Sequence, residues 1–186
     1  MTETTDVPTT GKRRATFNTL EVSELRRLTD DSVEVTFAVP EELADDYDYV
    51  PGQYVALRKE LDGAEVRRSY SICAVPKRGE IRVAVKKDIG GKFSTWANES
   101  LEVGEKIDVM NPQGAFTSRS HVTSLNDAEK VAAEQVAKKG NAHLVAFAAG
   151  SGITPIMAIA KAARISSGKT VTAMRALRSS EDRAGD

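Results

Sequence analysis

Val33, Val35, Phe37 and Val39 alternate with polar residues over positions 32–39, the period of a strand with one face turned to a core. Positions 17–27 alternate more loosely, and Thr29-Asp30-Asp31-Ser32 reads as a turn, so the two segments predict a hairpin. Pro40-Glu41-Glu42-Leu43 starts a short helical turn, and 45–48 is an acidic loop. Pro51-Gly52 then turns the chain into a third strand over 53–59. Asp62-Gly63 closes a hairpin into a fourth over 65–74. After a turn at 76–79, Ile81, Val83 and Val85 alternate with Arg82 and Lys86 along 80–87, and 106–111 supplies a last strand. Short strands separated by Gly, Pro and Asp turns predict an antiparallel six-stranded barrel.

The pattern changes after position 87. Asp88-Ile89-Gly90-Gly91-Lys92-Phe93-Ser94 is a glycine pair running into a helical segment that reaches Asn98. Such a turn lets backbone N–H groups approach an anion; it is equally the composition of an ordinary helix start. Pro112-Gln113-Gly114-Ala115-Phe116 is a tight turn whose Phe116 suits either a core plug or a ring beside a ligand. Positions 125–139 have helical periodicity with a thin apolar stripe, the mark of an exposed connector helix ended by Gly140. Positions 143–149 are continuously apolar, as buried parallel strands are. They run straight into Gly150-Ser151-Gly152-Ile153-Thr154-Pro155, an apolar helix over 156–164 and a further strand over 169–176.

Strand, glycine turn and helix can present a phosphate to a helix N-terminus, with Pro155 suited to the first helical position. Pro155 occupies the third place of the usual Gly-x-Gly-x-x-Gly fingerprint, so this is not the ordinary dinucleotide motif. The fold class expected is β followed by α/β: a barrel, then a βαβ unit of the kind that opens a parallel nucleotide-binding domain, its glycine turn serving either a phosphate or simply a tight strand–helix connection. The boundaries expected are a disordered tail over 1–15, the barrel over 16–118, a connector with a helix over 119–142 and the second domain over 143–186.

Composition narrows the chemistry. Of 186 residues, 40% are hydrophobic and 28% charged, with a net charge of −1, which points to neither nucleic acid nor an anionic membrane as partner. No apolar run approaches a membrane span, and a cytoplasmic protein is expected. The single cysteine, Cys73, excludes an internal disulfide and a cysteine-ligated iron–sulfur cluster, and the two histidines offer no metal-ligand spacing.

Candidate chemistry centres on Arg68-Ser69-Tyr70-Ser71. In a strand, Arg68 and Tyr70 share one face and Ser71 lies on the other. A guanidinium for a pyrophosphate, a planar ring for another planar ring and a nearby hydroxyl together describe a flavin site.

Together with Pro51-Gly52-Gln53-Tyr54, Gly90-Gly91-Lys92-Phe93-Ser94, Pro112 to Phe116 and Gly150 to Pro155, this stretch resembles the ferredoxin–NADP reductase family. Within the family its wording is similar to the reductase subunits of phenylacetyl-CoA epoxidases. The resemblance covers 16–118 and 143–176, and implies FAD as cofactor with NADPH or NADH as donor. It implies that Arg68 clamps the FAD pyrophosphate, Tyr70 stacks on the isoalloxazine and Ser71 bonds near flavin N5, with Ser69 in the same site. Val85, Lys86 and Lys87 would line the adenosine side through backbone and aliphatic contacts. Gly91, Lys92, Phe93 and Ser94 would hold the pyrophosphate at the helix start. Thr154 would face flavin and nicotinamide, while Gly150, Ser151, Gly152, Ile153 and Pro155 cradle the nicotinamide nucleotide. Electrons would pass to an iron–sulfur domain or protein serving an oxygenase such as phenylacetyl-CoA epoxidase. The family's nucleotide domain has more strands than this chain supplies, so the chain is expected to be the N-terminal part of a longer reductase or a truncated gene product. A flavin-binding fragment lacking nicotinamide turnover, or a non-catalytic interaction fragment, are the alternatives.

Overall fold

The computed structural model describes residues 14–116, 144–167 and 171–176. Residues 1–13 of the expected tail, the connector helix over 125–139 and the polar end over 177–186 lie outside the described residues. The last two tail positions are described, and the Arg14 carbonyl accepts from Asn111 Nδ2 at 3.1 Å.

Six strands form one antiparallel sheet: β1 (Phe17–Thr29), β2 (Ser32–Ala38), β3 (Tyr54–Leu61), β4 (Ala64–Ser71), β5 (Glu80–Lys86) and β6 (Lys106–Met110). Their order is β4-β3-β6-β1-β2-β5, so the sheet curls with β4 and β5 at its two ends. Where β4 stops pairing with β3, the chain crosses to the other end. Ile72 bridges to Val83, and the Cys73 N–H donates to the Arg82 carbonyl at 3.0 Å. This change of partner ends the fourth strand at Ser71 rather than at the expected Ala74.

Side chains from all six strands fill the interior, among them Leu20, Val35, Phe37, Val55, Leu57, Ile81, Val83 and Ile107. The loose alternation of β1 has a local cause. Register shifts between Val22 and Glu24 and between Arg27 and Thr29 mark bulges that change its phase. The Ser23 hydroxyl donates to the Thr36 carbonyl at 3.2 Å beside the first. β2 is buried on both faces, because Glu34 on its outer side is covered by Arg26, at 3.0 and 3.1 Å, and approached by Cys73.

Between β5 and β6 the chain forms helix α1 (Lys92–Glu99), which lays Phe93 and Ala97 against the core. Asn98, also buried, anchors its last turn. Its Nδ2 donates to the carbonyls of Val85 and Ser94, and Arg27 donates to its Oδ1 at 3.0 Å and its backbone carbonyl at 2.6 Å.

A second unit contains β7 (Leu144–Ala149), a 3-10 turn at Gly150–Gly152, α2 (Ile153–Ser167) and β8 (Val171–Ala176). β7 and β8 pair in parallel, giving the βαβ start expected. The helix begins three residues before the expected position 156. Pro155 thus sits third in α2 rather than first, still within the turn where a missing N–H removes no helical bond. Among the described residues no helix is long and apolar enough to cross a membrane.

Candidate functional site

Edge strand β4 and the start of α1 lie side by side, held at two points. Near the strand's C-terminal end, the Tyr70 ring stands 5.8 Å from the Phe93 ring at an interplanar angle of 35°. At its N-terminal end, in the β3–β4 turn, Asp62 lies 3.6 Å from the Lys92 Nζ. Arg68 sits on the strand between these tethers.

The parity expected from the sequence holds. Val66 and Ile72, on the face shared by Arg68 and Tyr70, are buried. Tyr70 is half-buried, and burial pushes its phenol up to about 12, so it is neutral. Phe93 is buried behind it and meets Trp96 edge-on at 5.4 Å.

The Arg68 guanidinium is exposed and donates to the Arg67 carbonyl at 2.7 Å. Among the described residues it has no carboxylate partner, unlike Lys86 with Asp31, Lys87 with Glu99, or Lys92 with Asp62. Ser71 is half-buried opposite Tyr54, while Ser69 is exposed opposite Ala56.

The β5–α1 loop is held by one hydroxyl. Ser94 Oγ accepts the Asp88 N–H at 3.0 Å and donates to the Gly91 carbonyl at 3.2 Å. Glycine at 91 is required by space, since a Cβ there would stand 2.5 Å from that oxygen. Gly91 is the N-cap of α1 and makes no side-chain cap bond. The N–H groups of Lys92, Phe93 and Ser94, which a helix cannot satisfy from within, are left to a ligand or water. Ile89, fully exposed, stands in the same loop.

Three expectations are narrowed by burial. Val85, Phe93 and Ser94 all point inward, at 0%, 1% and 4% exposure. Val85 therefore offers no aliphatic side-chain contact on the adenosine side, and the three can meet a ligand only through backbone. Phe93 instead braces Tyr70, and Ser94 shapes the loop. The sequence marks both as part of the glycine-helix motif, but its spacing does not show which way they point. Lys86 and Lys87 are exposed with their ammonium groups turned to acidic neighbours.

The turn Gly150–Gly152 and the first residues of α2 belong to the second unit, with Ile153, Thr154 and Pro155 half-buried. That unit meets the barrel through Ile159, close to Gly52 in the turn before β3.

The residues present fit a dinucleotide. An unpaired cation and an uncapped helix start suit a diphosphate, and the braced tyrosine beside them suits a planar ring. Residues 19–118 match the family model of the oxidoreductase FAD-binding domain. The chain belongs to that family.

Relatives agree. The chain is 42% identical over 144 residues to a subunit of the Escherichia coli 1,2-phenylacetyl-CoA epoxidase, an alignment covering 77% of this chain and 36% of that protein. It is 32% identical over 161 residues to the ferredoxin reductase component of the Rhodococcus rhodochrous 3-ketosteroid-9-alpha-monooxygenase, covering 86% and 40%. The chain thus spans well under half of these relatives' length. The FAD/NAD-binding domain of the Vibrio cholerae nitric oxide dioxygenase superposes with a TM-score of 0.67 at 21% identity, covering 87% of this chain and 63% of that one, which shows the shared fold.

Proposed function

We propose that this chain is the flavin-binding part of a FAD-dependent NAD(P)H oxidoreductase that supplies electrons to an iron–sulfur centre serving an oxygenase. Phenylacetyl-CoA epoxidase is the partner system best supported, through the relative of 42% identity. One observation carries the reading: Arg68, exposed and without a carboxylate partner among the described residues, and the uncapped start of α1 flank the same half-buried tyrosine.

FAD bound there supplies the redox chemistry, taking a hydride from reduced nicotinamide and releasing single electrons. Arg68 would neutralise the diphosphate as a charge-assisted donor, and the N–H groups of Lys92, Phe93 and Ser94 would meet its oxygens. Tyr70, held by Phe93 and uncharged, would present its ring to the isoalloxazine while excluding water from that side. The Ser71 hydroxyl, without a partner among the described residues, would donate near N5. Backbone of Val85, Lys86 and Lys87 would border the adenosine. Gly150 to Pro155 would receive the nicotinamide nucleotide, with Thr154 nearest the flavin. Ser69 completes the strand and faces outward.

The two-stranded extent of the described β7–β8 sheet favours a second reading, in which the chain holds FAD without nicotinamide turnover. Titrating flavin-free protein with FAD, FMN and riboflavin tests the first part, and saturable uptake selective for FAD is expected. Equal affinity for riboflavin would remove the diphosphate site. Anaerobic bleaching of the bound flavin by NADPH, compared with NADH, then separates the two readings.

A further inference from the structure

We infer that Gly52 is a positioning residue, the seat that registers helix α2 and the chain leaving the barrel against the edge carrying Tyr70 and Ser71. Its functional meaning rests on the flavin reading above; its geometry does not.

Gly52 has φ +102°, and a Cβ built there would stand 1.8 Å from the Phe116 carbonyl oxygen and 3.1 Å from Ile159 Cδ1 of α2. A backbone oxygen cannot swing aside as a long side chain can, so the missing side chain is a slot filled by the exiting chain. The fit is reciprocal. A Cβ on Gly114 would meet the Tyr54 ring at 3.0 Å. Between the two glycines, Tyr54 and Gln113 exchange backbone hydrogen bonds of 2.9 Å each, and Gln53 Nε2 donates to the Gly114 carbonyl at 3.3 Å.

The same turn is wired to the candidate site. Ile72 donates to the Gln53 carbonyl at 3.0 Å, and Tyr54 stands opposite Ser71 in the β3–β4 register. One turn therefore fixes three things at once: the exit of the barrel, the end of β4 and the packing of Ile159. Transfer between two bound groups is sensitive to displacements on the order of 1 Å. A slot this tight sets how the unit carrying Gly150 to Pro155 approaches the edge carrying Tyr70 and Ser71.

The test uses the full chain and reads the seat without flavin. Amide exchange over residues 153–162 reports α2. Alkylation of Cys73 by iodoacetamide reports the joint through exposure: the half-buried thiol follows Ile72, which donates to the Gln53 carbonyl of the same turn, while the Lys161 charge that favours its thiolate would, on leaving, act the other way. Gly52→Ala is expected to speed both, α2 exchange by about tenfold, with β2 and β5 protected as in the wild type. Ile159→Ala removes the contact from the helix side without straining the barrel and decides the matter if Gly52→Ala does not fold. Ile159→Leu is expected to restore slow alkylation. Met157→Gly, on an exposed part of the same helix, is expected to loosen α2 while leaving Cys73 at the wild-type rate.

Unchanged exchange and alkylation in Ile159→Ala would overturn the seat, as would equal acceleration of alkylation by Met157→Gly. FAD titration of the wild type keeps the two readings apart. Flavin uptake with no change at the joint would sink the seat alone. Failure of uptake with a loosened joint would sink only the flavin assignment.

Discussion

Tyr70 on β4 is braced by Phe93 of α1 at 5.8 Å between ring centroids. The brace makes the ring's position a property of the helix, so a core substitution should be felt at the surface. Phe93→Leu keeps most of the buried volume but loses the ring contact. It is expected to cost about 1 kcal/mol of folding stability and to weaken FAD retention roughly fivefold. Thermal unfolding and FAD titration read the two effects; retention equal to wild type would mean that Tyr70 does not touch the flavin.

Arg68 is exposed and anchored by a single bond to its neighbour's carbonyl. Its loss should leave folding intact while weakening FAD binding by about 1.5–3 kcal/mol. Arg68→Lys should recover only part, since an ammonium is a point charge without the planar fork. Titration of both variants with FAD and with riboflavin checks this, and riboflavin affinity should not change.

The loop before α1 predicts non-additivity. Gly91→Ala drives a methyl to within 2.5 Å of Ser94 Oγ, and Ser94→Ala removes that oxygen along with the bond that holds the Asp88 N–H. Each single change should destabilise by about 1–2 kcal/mol. In the double variant the methyl meets less resistance, so the sum should be undershot by at least about 0.5 kcal/mol. Denaturant melts of the four proteins close the cycle; strict additivity would show that the clash is relieved elsewhere.

Asn98 is a stability residue outside the candidate site. Buried and bonded to Val85, Ser94 and Arg27, it ties the end of α1 to β5 and β1. Asn98→Ala takes an acceptor from the Arg27 guanidinium and the donor from two carbonyls, and should cost about 1–3 kcal/mol in urea melts. Flavin affinity measured well below the new midpoint should remain near wild type.

Alkaline pH should destabilise the fold. Burial pushes the Cys73 thiol from 9.0 up to about 12, with Glu34 adding to it, and pushes the Tyr70 phenol from 10.0 to about 12. Each group holds its proton more tightly folded than unfolded. Their contribution is therefore complete below the unfolded values and is lost as pH climbs toward the folded ones. Melting temperature should fall between about pH 9 and 12. Cys73→Ala should flatten the early part of that decline, and an unaltered slope would show that the thiol titrates normally.

Strand identity is legible in the sequence because side-chain alternation survives in β2 and β5, and the Asp62-Gly63 turn adopts the positive φ at both residues that its pairing implies. The loose phase of β1 is legible only as looseness, since a bulge leaves no residue-type mark at Ser23. The site is legible as motifs and not as orientations. Nothing in Gly-Gly-Lys-Phe-Ser separates a side chain that meets a ligand from one that turns inward, and that choice is made by the packing of α1 on β4. The start of α2 escapes a reading that gives Pro155 the first helical position, because any place in the first turn tolerates proline. Gly52 is legible as a turn residue and no further; its role as a seat depends on Phe116 and Ile159, far away in sequence.

The curled sheet is latched rather than welded. From Ile72 onward the link between β4 and β5 rests on one bridge and one bond from Cys73, whereas β2 and β5 are zipped along their full length. The seam beside such a latch is where the barrel parts first. The chain past Ile72 can separate from β5 while Tyr70 and Ser71 stay zipped to Val55 and Tyr54 of β3, so that opening the seam leaves the braced ring where it is.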